Sequence, residues 1–143
     1  VRMSELVLPN GPDMEFPNVN PLVLRQRHRY IYALAKPYVE GSFVMKIDTR
    51  TNQMITWNLA ISDDIRASEP IFVPSPDGND EDDGVVLTVA TDMRRRRSFL
   101  FVLDGKTMKE RVRVVAPIVV NFGLHNYFFY GGDKRESMVR SRL

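Results

Sequence analysis

Cysteine is absent from this 143-residue chain, which excludes disulfide bonds and thiolate metal sites. Long apolar runs are also absent, since the longest, Gly84–Ala90 and Phe99–Leu103, are far too short to span a membrane as a helix. The chain also lacks a large excess of either charge, because it has 20 basic and 18 acidic residues. This balance argues against nucleic acid as a partner. With 43% hydrophobic residues, the chain is able to form a folded core.

Short β-branched and aromatic stretches, separated by turn residues, predict an all-β fold built from antiparallel hairpins. The predicted strands are Arg29–Leu34, Ser42–Asp48, Gln53–Leu59, Pro70–Val73, Gly84–Thr91, Ser98–Asp104 and Glu110–Ala116. Residues 131–143 are predicted to be a loose polar tail after a folded region of residues 1–130. Because the chain does not begin with methionine and carries no signal-peptide pattern, we expect it to be a piece of a longer protein.

Two hairpins repeat with a spacing of 56 residues. The segment Phe43–Thr51 matches Phe99–Thr107, with an aspartate and a threonine at equivalent turn positions. Short polar side chains of this kind accept backbone N–H groups and close a turn. The same spacing aligns Tyr30–Leu34 with Val86–Ala90. Antiparallel units that recur about every 50 residues are typical of β-propeller blades. The repeat therefore predicts a partial β-propeller of about two blades, with a segment that would help to close a ring.

Three polar residues stand at the start of successive units. Glu15 and Glu69 are 54 residues apart, and His125 follows after a further 56. Because the first strand of a blade is the innermost, we predict that these side chains converge near the propeller axis and face away from the Asp77–Asp83 loop. Imidazole binds iron, copper or zinc, and a carboxylate binds a metal or holds the second N–H of a ligand. The alternative is a hydrogen-bonded core histidine with two glutamates in solvated loops.

A series of motifs extends over nearly the whole chain. In sequence order they are Glu15–Asn20, the strand with Trp57, Ser68–Pro74, Glu81–Leu87, Phe99–Thr107 and Phe122–His125. In this order the motifs resemble the C-terminal segment of the animal carotenoid cleavage oxygenases. The resemblance is specific because several separate motifs occur in the right order.

The resemblance implies a seven-bladed β-propeller with iron(II), Fe2+, on its axis, bound by histidines from four blades. His125 matches the last of these ligands, and Glu15 and Glu69 match two of the three glutamates that orient them. The other ligands have no counterpart in this chain, and neither a catalytic nor a substrate-binding residue is assigned. Members of the family use dioxygen (O2) to cleave a polyene double bond into two carbonyl products, and some isomerise a retinyl ester instead.

Three functions therefore stay open. The chain is part of an iron(II)-dependent carotenoid-cleaving dioxygenase that releases apocarotenoid aldehydes or ketones, part of a retinoid isomerase with the same fold, or an inactive truncated propeller that serves as an interaction module. The expected partners are a carotenoid or retinoid substrate and O2, with peripheral membrane contact and no nucleic acid. A cytoplasmic location is expected, with membrane association or a mitochondrial location as alternatives.

Two charged stretches and several aromatic residues allow further predictions. The acidic stretch Pro76–Gly84 fails as a calcium loop because Ala90 stands where a bidentate glutamate is needed, so it is predicted to be a solvated loop. Arg94–Arg97 predicts an exposed hairpin tip, with attraction to anionic lipid headgroups as the functional alternative. The residues predicted to pack within the blades are Tyr30, Tyr32, Trp57, Phe101 and Phe128.

Overall fold

The computed structural model describes residues 13–35, 43–58, 65–121, 123 and 125–129. Within these ranges, nine strands form two antiparallel sheets, and the helical structure is a short 3₁₀ turn at Pro21–Val23. This confirms the predicted all-β fold. No helix in the described part of the chain is long and apolar enough to span a membrane. The predicted tail, residues 131–143, and the predicted strand ends at Ser42 and Leu59 lie outside the described residues.

The first sheet is a meander in which each strand pairs with the next one along the chain. Its strands are β1 (Met14–Asn18), β2 (Tyr30–Ala35), β3 (Phe43–Asp48) and β4 (Gln53–Asn58). The last three agree with the predicted strands to within one residue. β1 was not among the predicted strands, and its pairing with β2 is irregular between Glu15 and Asn18.

The second sheet repeats this arrangement with an interrupted first strand. Its strands are β5 (Ile65–Ala67), β6 (Ile71–Pro74), β7 (Gly84–Asp92), β8 (Arg97–Asp104) and β9 (Glu110–Val115). β5 and β6 both pair with β7, so together they occupy the position that β1 has in the first sheet. Glu69 lies in the break between them.

The turns that follow β3 and β8 have the same construction. The aspartate carboxylate accepts the N–H groups of the second and third following residues, at 2.9 and 3.4 Å for Asp48 and at 3.0 and 2.8 Å for Asp104. Asn52 and Met108 close the two turns in the left-handed conformation, with φ of 56° and 58°. The predicted equivalence of the two aspartates is confirmed.

Each turn aspartate also pairs with an arginine, and this lowers its pKa. The hydrogen bond from the Arg29 guanidinium holds the pKa of Asp48 well below its usual range, although partial burial opposes the shift. Burial has the largest effect on Asp104 and raises its pKa, but Arg111 and the turn donors outweigh it and leave the pKa well below the usual range.

The predicted alignment of β2 with β7 is wrong by one residue. Tyr30 lies opposite Asp48, and Val85, not Val86, lies opposite Asp104. The two strands are therefore 55 residues apart, whereas the turn aspartates are 56 apart. The reason is that the whole hairpin between the paired residues is one residue longer in the second unit, where it runs from 85 to 104, than in the first, where it runs from 30 to 48. Because side chains alternate between the faces of a strand, a shift of one residue exchanges the predicted inward and outward positions.

The core lies between the two sheets. Tyr32 stacks on Phe72 with ring centroids 4.9 Å apart, and Trp57 meets Phe101 at the same distance. Aromatic contacts of this kind add to the free energy of burying apolar surface. The buried residues of this cluster are Tyr32, Leu34, Val44, Trp57, Ile65, Ala67, Phe72, Val86, Ala90, Phe101, Leu103 and Met108. Four of the five aromatic residues predicted to pack are buried or packed against this cluster, whereas Phe128 is partly exposed.

A buried ion pair joins the two sheets beside this core. The Lys46 ammonium on β3 lies 2.6 Å from the carboxylate of Asp82, which precedes β7, and the two side chains are only 5% and 11% exposed. Lys46 also donates to the carbonyl of Lys106 at 3.0 Å and lies 4.1 Å from the centre of the Tyr30 ring. Buried charges are tolerated when they are paired and hydrogen-bonded in this way.

Glu81, the residue before Asp82, binds the backbone of the first sheet. Its carboxylate accepts the N–H groups of Arg29 and Tyr30 at 2.8–2.9 Å, and its carbonyl accepts a hydrogen bond from the Asn20 amide. We call Glu81 and Asp82, with the contacts they make to the first sheet, the acidic clamp. The prediction of a merely solvated loop is therefore wrong for these two residues, although Asp77 and Asp80 are exposed.

Replacing Lys46 with methionine should strongly destabilise the chain, because the Asp82 carboxylate would be left buried without its partner. We expect the free energy of unfolding to fall by about 3 kcal/mol. The measurement is urea unfolding followed by the fluorescence of Trp57, the only tryptophan in the chain.

Lys106→Met is the matched control, since the Lys106 side chain is 45% exposed and its ion pairs with Asp80 and Asp83 lie at the surface. This variant should change the stability little. The double variant Lys46→Met/Asp82→Leu should recover much of the loss. Equal effects of Lys46→Met and Lys106→Met would contradict the assignment of the clamp.

Candidate metal-ligand site

His125 and Glu69, two of the three residues predicted to meet near the axis, are in contact. The imidazole Nδ1 of His125 lies 3.4 Å from Oε2 of Glu69. The Glu69 side chain is 12% exposed, whereas that of His125 is 78% exposed. Glu69 lies in the break between β5 and β6, so its carboxylate is held at the second sheet. The imidazole of His125 contacts this carboxylate from the solvent side. Two of the three side chains predicted to approach one another are therefore close together, and their role at a metal stays a prediction.

Asn126 attaches the histidine segment to the second sheet. Its backbone N–H donates to Oε2 of Glu69 at 2.8 Å, the same oxygen that faces the imidazole. Its side-chain amide donates to the hydroxyl of Ser68 at 2.7 Å and to the carbonyl of Glu69 at 2.9 Å. These three hydrogen bonds connect residues that are nearly 60 positions apart in the chain. They position the backbone beside the imidazole.

Phe16 contacts the imidazole from the first sheet. The two rings meet edge to face, with centroids 5.6 Å apart and planes at 88°. Phe16 has a φ of 52°, unusual for a residue other than glycine, and it lies in the irregular part of β1. Irregularities of this kind redirect side chains and are frequent beside functional sites. The irregularity in β1 thus brings an aromatic ring against His125.

Glu15 lies next to Phe16 on β1, opposite Leu34 of β2. The strand therefore positions Glu15 one residue from the ring that contacts His125. Its role in orienting a ligand stays a prediction.

The geometry is suited to a metal ligand. An imidazole that donates its Nδ1 proton to a carboxylate has its Nε2 lone pair available for a metal, and the carboxylate sets both the tautomer and the ring orientation. No group of three or more histidine, aspartate or glutamate side chains able to hold a metal occurs in the described part of the chain. His125 is thus suited to act as one ligand of a centre whose other ligands come from elsewhere.

The sequence predicted His125, Glu15 and Glu69 as site residues, whereas Asn126, Ser68 and Phe16, which contact these residues or lie beside them, were not predicted. All three residues lie directly beside a predicted site residue, and Phe16 and Ser68 lie within the motifs named from the sequence. Their contacts arise between segments that are distant in sequence. No pattern within a single segment reveals such contacts.

Comparison with known proteins places the chain in a family. The sequence profile described as Retinal pigment epithelial membrane protein matches residues 4–130. The carotenoid dioxygenase of Neurospora crassa is 36% identical over 115 residues, which are 78% of this chain and 18% of that protein. The β,β-carotene 15,15'-dioxygenase of Gallus gallus is 34% identical over 122 residues, which are 84% of this chain and 23% of that protein.

A solved structure agrees with this result. Cobalt-substituted apocarotenoid oxygenase of Synechocystis matches with a TM-score of 0.70 and 28% identity, over 78% of this chain and 24% of that one. The fold and these matches together identify the two sheets as blades of a carotenoid-oxygenase β-propeller, of which the chain covers only part. The chain belongs to the Retinal pigment epithelial membrane protein family of carotenoid oxygenases. It spans less than a quarter of the length of these relatives.

Removing the side-chain amide of Asn126 should loosen the backbone beside His125. In Asn126→Ala, two hydrogen bonds worth about 1 kcal/mol each are lost, while the backbone N–H still faces Glu69. We expect hydrogen exchange of the residue-126 amide to become about tenfold faster or more. Asn79→Ala, at an exposed position in the acidic stretch, should leave this rate unchanged. An unchanged rate in Asn126→Ala would show that the amide does not position this segment.

Proposed function

We propose that this chain is part of an iron(II)-dependent carotenoid-cleaving dioxygenase and that His125 supplies one of the iron ligands. The observation that carries the proposal is the contact between His125 Nδ1 and Glu69, which leaves Nε2 in an exposed position. A structural histidine of the core would instead be enclosed, with both ring nitrogens satisfied by the surrounding protein.

The residues of this chain are suited to supply and orient one metal ligand, but they are too few to bind the metal by themselves. At 3.4 Å from Nδ1, Glu69 would favour the proton on that nitrogen and so set the plane of the imidazole. Phe16 restricts rotation of the ring, and Asn126 holds the backbone that carries it. The name of the cobalt-substituted relative supports a metal centre in this fold. Glu15 is proposed to orient a further ligand, as the family resemblance implies.

Dioxygenase chemistry is favoured over retinoid isomerisation because the two relatives compared above are named as dioxygenases that act on carotenoids. In the proposed reaction, the two atoms of O2 are added to the two carbons of one polyene double bond, which yields two carbonyl products. Iron(II), when bound, would supply the centre at which O2 is activated.

The expected partners follow from this chemistry. The substrate is a long apolar polyene that partitions into membranes, so the complete protein is proposed to act at or near a membrane surface. A cytoplasmic or mitochondrial location stays a prediction.

In the complete enzyme that contains this chain, His125→Ala should remove an iron ligand. We expect carotenoid cleavage to fall by at least about 100-fold and the iron content of the purified enzyme to fall with it, because loss of a residue that merely orients a ligand already costs 10–100-fold. The measurements are product analysis with a carotenoid substrate and metal analysis after dialysis.

His28→Ala is the matched control, since it removes the only other histidine, which is exposed and bonds to the carbonyl of Gln26 in its own loop. It should leave both readouts near those of the unmodified enzyme. The isolated 143-residue chain should retain no stoichiometric iron, because one imidazole without its companions binds iron(II) weakly. Full activity of His125→Ala, or tight iron in the isolated chain, would refute the assignment.

A further inference from the structure

Two buried hydroxyl groups lie side by side at the closed end of the β7–β8 hairpin. Thr91 on β7 and Ser98 on β8 are direct cross-strand neighbours, and their side-chain oxygens are 2.8 Å apart. The two residues are only 4% and 1% exposed. We call Thr91 and Ser98 the hydroxyl pair. Buried hydroxyls are costly unless they are hydrogen-bonded, so the question is what this pair binds.

The turn at the end of this hairpin has a defined shape. Arg94–Arg97 are exposed, as the sequence predicted. The carboxylate of Asp92, which is almost fully buried, accepts the backbone N–H of Arg95 at 2.7 Å and its guanidinium at 3.0 Å. Because Asp92 directly follows Thr91, these bonds fix the strand end that carries the hydroxyl pair.

The hydroxyl pair binds both backbone groups of Val120. The hydroxyl of Thr91 donates to the Val120 carbonyl at 2.7 Å, and the hydroxyl oxygen of Ser98 accepts the Val120 N–H at 2.8 Å. A hydroxyl has one proton to donate. Since Thr91 gives its proton to Val120, the hydroxyl of Ser98 donates to Thr91. Each hydroxyl therefore donates one hydrogen bond and accepts another.

Segment 116–120 depends on these bonds for its position. It begins and ends at Ser98, whose carbonyl accepts the N–H of Ala116 at 2.8 Å and whose hydroxyl accepts that of Val120. Between these two points Ile118 and Val119 are exposed, so the segment buries little apolar surface. Hydrogen bonds rather than packing therefore hold the segment in place.

The chain beyond His125 is attached to the same strand. Asn126 donates to the hydroxyl of Ser68 at 2.7 Å. Ser68 in turn donates from its N–H and its hydroxyl to the carbonyl of Val89 on β7, at 2.8 and 3.0 Å. Strand β7 therefore fixes the chain on both sides of His125, at Val120 five positions before it and at Asn126 directly after it.

We propose that the hydroxyl pair positions His125 by fixing the chain that leads to it. Thr91 and Ser98 act through the backbone of Val120 and not on the imidazole itself, so they are positioning residues and not ligands. The inference rests on the proposed function, in which His125 is an iron ligand. A ligand that is already held in place loses less conformational freedom when it binds. Loss of the pair should therefore weaken the hold of the site on iron.

The test compares Thr91→Val with Thr91→Ser in the complete enzyme that contains this chain. Thr91→Val keeps the shape of the side chain but removes the hydroxyl, whereas Thr91→Ser keeps the hydroxyl and removes a methyl group. In the metal-free enzyme, we expect Thr91→Val to speed hydrogen exchange of the Val120 and Asn126 amides about tenfold. All the groups that bond to Asn126 are intact in this variant. Thr91→Ser should exchange like the unmodified enzyme.

The rate of iron release to a chelator is the second readout. Thr91→Val should release iron about tenfold faster, and kcat should fall by a similar factor at unchanged KM, because the change affects the ligand and not substrate binding. Ser98→Ala should act in the same direction. The effect of Thr91→Val/Ser98→Ala should fall well short of the product of the two single effects, since both hydroxyls bind the same residue.

The matched control is Thr49→Val, which removes a hydroxyl that donates to the carbonyl of Arg29 at 2.9 Å in the first sheet. It should leave the exchange of Val120 and Asn126 and the release of iron unchanged. If Thr91→Ser is as harmful as Thr91→Val, packing and not hydrogen bonding is responsible, and the proposal is wrong. Unchanged exchange at Asn126 in Thr91→Val would also overturn it, because the pair would then fix Val120 alone.

Failure of the proposed function is recognised separately. In that case His125→Ala would retain its iron, whereas exchange at Asn126 in the metal-free enzyme would still show whether the hydroxyl pair holds the segment. If His125→Ala loses iron but Thr91→Val releases it at the normal rate, His125 is a ligand that does not depend on the pair. That result would overturn the positioning role of Thr91 and Ser98 and leave the proposed function standing.

Discussion

The buried pairing of Lys46 with Asp82 is the interaction on which the relative position of the two blades depends. A lysine on an internal strand is costly to bury, and here its ammonium is satisfied by a carboxylate and a carbonyl that both belong to the neighbouring blade. Glu81 adds the N–H groups of Arg29 and Tyr30. Polar bonds are directional, whereas the apolar contacts between the sheets tolerate sliding. The clamp therefore sets the register of one blade against the next.

Strand β6 connects the acidic clamp to the candidate metal site, so the position of one blade against the next also determines the geometry of that site. The strand ends at Pro74, shortly before the acidic clamp, and it begins at Ile71, two residues after Glu69. Midway along it, the N–H of Phe72 donates to the Asn18 side chain on β1 at 3.2 Å. The clamp and this bond together hold β6 against the first blade. Glu69 and Phe16, which come from different blades, are thereby brought to the same imidazole.

Local features of the fold were predictable from the sequence. The turns at Asp48 and Asp104 depend on side chains that bond to their own backbone, and the hairpin strands depend on alternating apolar residues. β1 and β5 were missed because one contains a proline and an irregular pairing and the other has only three residues. The one-residue error in the predicted alignment of β7 with β2 could not be foreseen, because it depends on the total length of each hairpin between its paired residues, which the spacing of the turn aspartates does not report.

Contacts between distant segments were harder to predict. The burial of Asp82 could not be foreseen, because its partner Lys46 lies on the other blade. The approach of Glu69 to His125 was predicted, as part of a convergence of three residues, because repeat spacing carries long-range information. No repeat position marks Asn126 or Phe16, so their contacts with this site emerged only from the structure.

The most direct test of the site is the position of the proton on His125. Long-range ¹H–¹⁵N correlation spectra of the metal-free chain, recorded where the imidazole is neutral, distinguish its two tautomers. We expect the proton on Nδ1, facing Glu69, and a shift toward Nε2 in Glu69→Ala. A proton on Nε2 in the unmodified chain, or a spectrum that Glu69→Ala leaves unchanged, would contradict the role of Glu69 in presenting His125 to a metal.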